Sequence, residues 1–415
     1  MIQAFLGLFI FCSIAWLFSE DRKRFPFKLA FVGIALQILI AFIFFQFPGF
    51  KSFFLILNSC VSALEKATTA GTSFVFGYLG GGSLPFDEKF PGASFILVFR
   101  SFPLILVISA LSSLLFYWKI LPVVVKFFSW IFQKILGISG AEGLGVSSNI
   151  FLGMVESPLL IKPYLKDMTR SELFSVMTCG MATIAGTVMV LYAAFLKNIL
   201  PDAMGHILVA SVISIPASII VSKIMIPERE SPTAGNITPC FRATSAFDAI
   251  SQGTIQGVQL LINIVAMLIV LVALVHLFNL ILGVFPGMDE KPMTLQRLTG
   301  FLFAPVTWLM GIPWNEAQVA GGLMGTKTVL NELLAYLDMS RLPEGALGSR
   351  SLLIMTYSMC GFANPGSLGI MIGGMSTLVP ERRDEIVAMG FRTIVSGTLT
   401  TCMTGAVVGI IPVMN

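Results

Sequence analysis

Charge is scarce in this sequence. Of 415 residues, only 12% are Asp, Glu, Lys or Arg, while 56% are hydrophobic. Soluble domains carry about 25% charged residues, so a molecule wetted on every side is excluded. Histidine is scarcer still: His206 and His276 are the only two, which nearly rules out a histidine metal cluster. The cysteines, Cys12, Cys60, Cys179, Cys240, Cys360 and Cys402, are scattered without a CxxC pair. Neither a disulfide framework nor a zinc site is expected from them. The net charge of +4 is spread over the loops and does not suggest nucleic acid as a partner. No Lys or Arg precedes the first apolar run, as the leading segment of a cleaved signal peptide would require. That run reads as an uncleaved span with its N-terminus outside.

What the chain has in abundance is apolar length, so its partner is the lipid bilayer. Spans are expected at 2–18, 28–47, 94–117, 171–197, 203–226, 250–285, 347–377 and 386–412, each long enough to cross the hydrocarbon core. Two further apolar stretches, 138–168 and 294–338, are interrupted by Gly, Pro and charge. They are too broken for ordinary spans and too apolar for loops. Residues 50–70 and 118–137 read as amphipathic or interfacial, and 227–248 is the longest polar loop. If both broken stretches return to the side they came from, sixteen Lys and Arg fall at inside ends, among them Arg22, Arg24, Arg170, Lys223, Arg242, Arg382 and Arg392. Eight fall outside, among them Lys51, Lys89, Lys197, Lys291 and Arg350. This bias follows the positive-inside rule and favours two re-entrant hairpins with both termini outside.

An internal repeat points the same way. Cys179-Gly180-Met181-Ala182-Thr183 resembles Cys360-Gly361-Phe362-Ala363-Asn364. Each sits mid-span, and each follows a broken stretch that contains a glutamate, Glu156 or Glu332. Glycine with an unpaired polar residue at mid-membrane predicts local unwinding, tolerated only where backbone lines a cavity or is buried in protein. Paired discontinuous segments in two halves are the sequence mark of a transporter's midplane site. A carboxylate within such a segment is costly and accepts hydrogen bonds at two oxygens, which suits the vicinal hydroxyls of a sugar. The bland alternative is an interhelix hydrogen bond or an ion pair, Glu332 with Lys327 or Arg100. Asn149 and Thr183 offer neutral oxygens of the kind that hard cations take, or simple helix-packing hydrogen bonds. Gly321-Gly-Leu-Met-Gly325-Thr-Lys327 has the wrong spacing for a phosphate loop, and no strand precedes it.

At these residues the sequence resembles the concentrative nucleoside transporter family. The likeness runs over nearly the whole chain. It is strongest at Gly71-Thr-Ser-Phe-Val-Phe-Gly77, Asn149 to Pro158, Ser171-Glu-Leu-Phe174, Ala182-Thr-Ile-Ala-Gly186, Gly311-Ile-Pro-Trp-Asn-Glu316, Asn331-Glu332 and Cys360-Gly-Phe-Ala-Asn364. The resemblance implies an all-α integral membrane protein with about eight transmembrane helices, two re-entrant helical hairpins, an inverted repeat and an elevator-type movement. It implies a homotrimer in a bacterial inner membrane, importing a nucleoside with a co-transported sodium ion, no organic cofactor and no catalytic residue. A scaffold of 1–137 and 227–293 would carry a transport part of 138–226 and 294–415.

The resemblance also assigns roles. Glu332, Asn364 and Ser367 match positions that hold the ribose, and Phe362 one that lines the site. Glu156 matches a hairpin glutamate near the nucleobase, on which Val188 packs. Asn149 and Thr183, with the carbonyls of Leu152 and Ile184, match sodium ligands. Where the family usually has Gly-Gln-Thr/Ser-Glu, this chain reads Gly153-Met154-Val155-Glu156. A pocket that cannot hydrogen-bond a pyrimidine edge discriminates less in its favour, so a purine preference is expected. Proton coupling, nucleobase transport and a membrane-embedded enzyme acting on a nucleotide-linked lipid are the rival readings.

Overall fold

The computed structural model describes residues 2–46, 48–88, 94–200, 202–233, 243–284 and 293–412, without the side chains of 48–55, 57 and 58. Cys240, Arg242, Lys89, Lys291 and the side chain of Lys51 lie outside the described residues. Among the described residues every regular element is helical. Six helical segments are long and apolar enough to span a membrane: 27–46, 97–117, 170–196, 203–225, 246–282 and 380–410. Ile2–Leu17 and the interrupted pair Ser349–Met359 and Pro365–Leu378 bring the passes to eight.

Contacts at the two ends of the molecule fix how the passes run. At one end Glu20 accepts from Arg170 at 3.0 Å and also from Arg392. Asp21 pairs with Arg229 at 3.2 Å, and Lys223 bridges Glu142 and Glu228 at 3.1 Å each. Partial burial alone would raise the Glu20 carboxyl, yet Arg170, Arg392 and Arg229 hold it below its ordinary value. At the far end Gln46 donates to the Pro412 carbonyl, Lys197 pairs with Glu65, and Arg350 donates to the Gly409 carbonyl. Arg170, Lys223, Arg229 and Arg392, all expected inside, thus gather at one end.

Both broken stretches return to their starting end. The first hairpin, Gly140–Ser148 and Glu156–Leu160, begins beside Lys223 through Glu142. It leaves beside Arg382, which donates to the carbonyls of Leu165 and Met168. The second hairpin, Trp314–Val329 and Glu332–Ser340, opens and closes at the far end, where Glu316 accepts from the Gly348 N–H at 3.0 Å.

Three expectations need correction. Residues 294–338 hold more than a hairpin: Leu295–Leu309 is a separate helix, tied to the hairpin by Thr307 donating to the Ala317 carbonyl at 2.9 Å. Gly311, at φ +103°, makes the turn between them. The span at 94–117 is interrupted, Leu97–Arg100 and then Leu104–Tyr117, with Pro103 preceding the second piece. In the first repeat Cys179 to Ala182 remain helical as the end of Arg170–Ala182, and only 183–185 unwind before Gly186–Leu196. In the second repeat the unwound segment is 360–364.

Burial separates core from periphery. In Ala203–Met225, 94% of the spanning window is buried, against 6% in the 37-residue Ala246–Leu282. The first is therefore a central post, and the second is a peripheral helix whose mainly apolar surface is largely left open. Around the post, apolar packing alone would not fix position, because lipid is equally apolar. Hydroxyl pairs do so: Ser175 with Ser222 at 2.8 Å, Thr178 with Ser396 at 2.8 Å and Ser214 with Thr404 at 3.0 Å. The two breaks meet at the centre, where a Cβ on Gly361 would lie 2.8 Å from the Met181 carbonyl oxygen.

Candidate functional site

The hairpin tips and the breaks border a cavity of about 160 Å³, the liquid volume of about five waters. That suits a small polar solute. One wall carries Gly153, Met154, Val155, Glu156, Val188, Glu332, Phe362, Asn364 and Ser367. The structure thus brings together all nine residues read from the sequence as substrate contacts. Leu260, Asn263, Ile264, Met267 and Leu271 of the long helix form the opposite wall.

Glu332 is buried, and its orientation is locally determined. Asn331 caps the second arm of its hairpin by accepting the Leu334 N–H at 2.9 Å, which starts the helix with Glu332 facing the cavity. Oε1 accepts from the Tyr192 hydroxyl at 2.7 Å, and Oε2 accepts from Asn364 Nδ2 at 3.1 Å. Asn364 is itself a cap, accepting the Ser367 N–H at 2.8 Å. The Glu332 backbone N–H donates to the carboxylate as well; with about four acceptor positions on a carboxylate, one remains for a ligand. Of the bland alternative, the ion pairs are not made, since Lys327 donates to the Ser358 carbonyl and Thr401, and Arg100 donates to the Tyr78 carbonyl; the interhelix hydrogen bonds are made, by Tyr192 and Asn364.

Glu156 is exposed to the cavity and also borders a smaller one of about 90 Å³ beside Ser109, Ser113 and Gln256. Its carboxylate folds back over the hairpin tip, where the N–H groups of Gly153 and Glu156 donate to it. A Cβ on Gly153 would stand 2.2 Å from Oε2, so any side chain there would displace the carboxylate. Val155 packs its methyls on Gly374, and Met154 lies against Gly180. The tip therefore meets the second repeat through apolar atoms.

Sequence reasoning missed Tyr192, Thr187 and Asn263. Tyr192 lies four residues beyond Val188, hence on the same helical face, and that spacing was the available signal. Thr187 lines the cavity with a buried hydroxyl that has no hydrogen-bond partner among the described residues.

A second junction lies behind the tip. Asn149 is buried; its Nδ2 donates to the Gly145 carbonyl at 3.0 Å, whereas its Oδ1 is buried without a partner. A Cβ on Gly180 would lie 3.6 Å from that oxygen. Thr183 donates to the Cys179 carbonyl at 2.9 Å, leaving its lone pairs free of that bond. The Gly186 N–H donates to the Phe151 carbonyl at 2.9 Å, and Gly153 abuts Ala185. Leu152 and Ile184 lie between these contacts, and neither carbonyl accepts a hydrogen bond among the described residues. Buried backbone carbonyls are ordinarily paired. An orphaned amide oxygen, a hydroxyl and two unpaired carbonyls form an all-oxygen set that fits a small hard cation.

Three family descriptions match the chain: "Na+ dependent nucleoside transporter N-terminus" over 6–79, "Nucleoside recognition" over 98–198 and "Na+ dependent nucleoside transporter C-terminus" over 206–409. The putative nucleoside permease NupX of Escherichia coli is 32% identical, covering 99% of this chain and 98% of its own. The nucleoside permease NupC of Helicobacter pylori is 31% identical, over 99% and 97%. Human solute carrier family 28 member 3 is 34% identical over 99% of this chain and 60% of its own. The solved structure of CNTnw in an inward-facing substrate-bound state superimposes with a TM-score of 0.90, at 31% identity, over 98% of this chain and 97% of that one. An outward-facing double variant of CNTnw gives 0.89, also at 31% identity and the same coverage.

Proposed function

The chain belongs to the concentrative nucleoside transporter family, and we propose that it imports nucleosides, with a preference for purines, by symport with sodium. Family membership sets aside the membrane-embedded enzyme. The observation that carries the substrate reading is Glu332, a buried carboxylate held by Tyr192 and Asn364 with acceptor capacity left beside the cavity. Such a group selects for paired hydroxyls. Ser367 adds a third polar group, while Phe362 and Val188 supply flat and apolar surface for the base.

Sodium coupling rests on the Asn149–Thr183 junction. It shares the hairpin tip with Glu156, so a cation there would stiffen the tip before substrate enters and raise its affinity. Purine preference rests on Met154 and Val155, which place apolar atoms where a polar pair would read a pyrimidine edge. The cavity lies between the hairpins with the breaks on one side and the long helix on the other. Sliding the first set against the second is the movement an elevator requires. The outward apolar surface of Ala246–Leu282 is suited to contacts between protomers of a homotrimer. The basic end faces the cytoplasm of a bacterial inner membrane, with both termini periplasmic.

Competition for labelled adenosine uptake tests the substrate reading. Unlabelled purine nucleosides should compete at lower concentrations than uridine. Uridine competing equally or better would remove the purine preference.

A further inference from the structure

The two repeats treat the same problem differently. In each, a half-helix ends near mid-membrane, where its last carbonyls lack helical partners and its dipole presents negative charge. In each, a glutamate stands nearby. In the first repeat no Lys or Arg pairs with Glu156 among the described residues, and Asn149 Oδ1 is unpaired. In the second, a buried lysine, Lys327, stands at the end of the hairpin's first arm. It lies in the last turn of Trp314–Val329, fully buried. Its Nζ donates to the Ser358 carbonyl at 2.9 Å, at the end of Ser349–Met359, and to Thr401 at 2.6 Å. Thr401 also abuts Gly361 within the break. The ammonium is near enough to Glu332 to interact electrostatically.

We propose that Lys327 is a tethered counter-cation that holds the second unwound segment in its binding geometry, occupying in the second repeat the place that a mobile cation takes in the first. This rests on the reading of Asn149 and Thr183 as sodium ligands. Lys327 touches no substrate; it is a positioning residue. Through Ser358 and Thr401 it holds the backbone from which Phe362, Asn364 and Ser367 reach the cavity. The repeat with a tethered cation needs no ion from solution, and the chain then couples to one mobile cation.

Calorimetry on the purified full chain with adenosine at saturating sodium tests this. Lys327→Met keeps an unbranched apolar stem, shorter by the terminal nitrogen, and removes the charge. Lys327→Ala leaves a space shaped for propylammonium. Both should lose at least roughly tenfold in adenosine affinity, while their sodium affinity stays near that of the unaltered chain. Propylammonium should restore binding to Lys327→Ala, and n-propanol should not. Adenosine affinity of Lys327→Met within threefold of the unaltered chain would overturn the proposal. Equal rescue by propanol would also overturn it, because packing would then suffice. Absence of sodium dependence in the unaltered chain would instead overturn the sodium reading and leave the amine rescue to be judged alone.

Discussion

Replacing Glu332 with Gln should weaken nucleoside binding by roughly 30- to 1,000-fold. The carboxylate accepts from Tyr192 at Oε1 and from Asn364 at Oε2. Gln has one acceptor oxygen and one donor amide, so Tyr192 or Asn364 would face a donor in a buried site. On the proposed ribose contact, the substitution would also replace charge-assisted hydrogen bonds, worth about 1.5–3 kcal/mol each, with neutral ones at about 1 kcal/mol. The combined loss, about 2–4 kcal/mol, gives the stated range. Calorimetric titration of adenosine into the purified variant reads it directly. A Kd within threefold of the unaltered chain would remove Glu332 from the ribose site.

The second large effect is on the ion. Asn149→Ala deletes the one buried amide oxygen at the tip that has no protein partner, without touching any residue that lines the cavity. Its expected signature is selective. The sodium concentration for half-maximal binding of adenosine should rise roughly tenfold or more, equivalent to at least about 1.4 kcal/mol. Adenosine affinity at saturating sodium should fall far less. The two substitutions therefore separate: Glu332→Gln acts on substrate at every sodium concentration, and Asn149→Ala shifts the sodium requirement. An unchanged sodium curve for Asn149→Ala would place the ion elsewhere.

Much of this was readable from the sequence for a physical reason. A carboxylate, an unpaired Asn or a glycine within an apolar run violates the rule that membrane backbone satisfies itself, and such violations mark Glu156, Asn149, Asn364 and Glu332. Tyr192 and Asn263 were not readable in this way. Tyr192 shares a helical face with Val188 but has no break beside it, and Asn263 lies in an unbroken helix, so the role of each depends on what the fold sets opposite it. The true partners of Lys327 were hidden for the same reason. Ser358 and Thr401 are distant in sequence, whereas Glu332 is a near neighbour along the chain but lies beyond the break at 330 and 331. The helix Leu295–Leu309 had a signal that went unused: Gly311 and Pro313 punctuate the stretch, and the structure turns there.

Concentrative uptake into proteoliposomes tests the central claim most directly. One sodium ion gains about 2.3 kcal/mol from 100 mV and about 1.4 kcal/mol from a tenfold gradient. Their sum, about 3.7 kcal/mol, sustains roughly 500-fold accumulation at the limit. With both imposed, labelled adenosine should rise well above its external concentration. It should fall to the external concentration when sodium is equalised and the potential collapsed. Accumulation that persists under those conditions and follows an imposed proton gradient instead would contradict sodium symport.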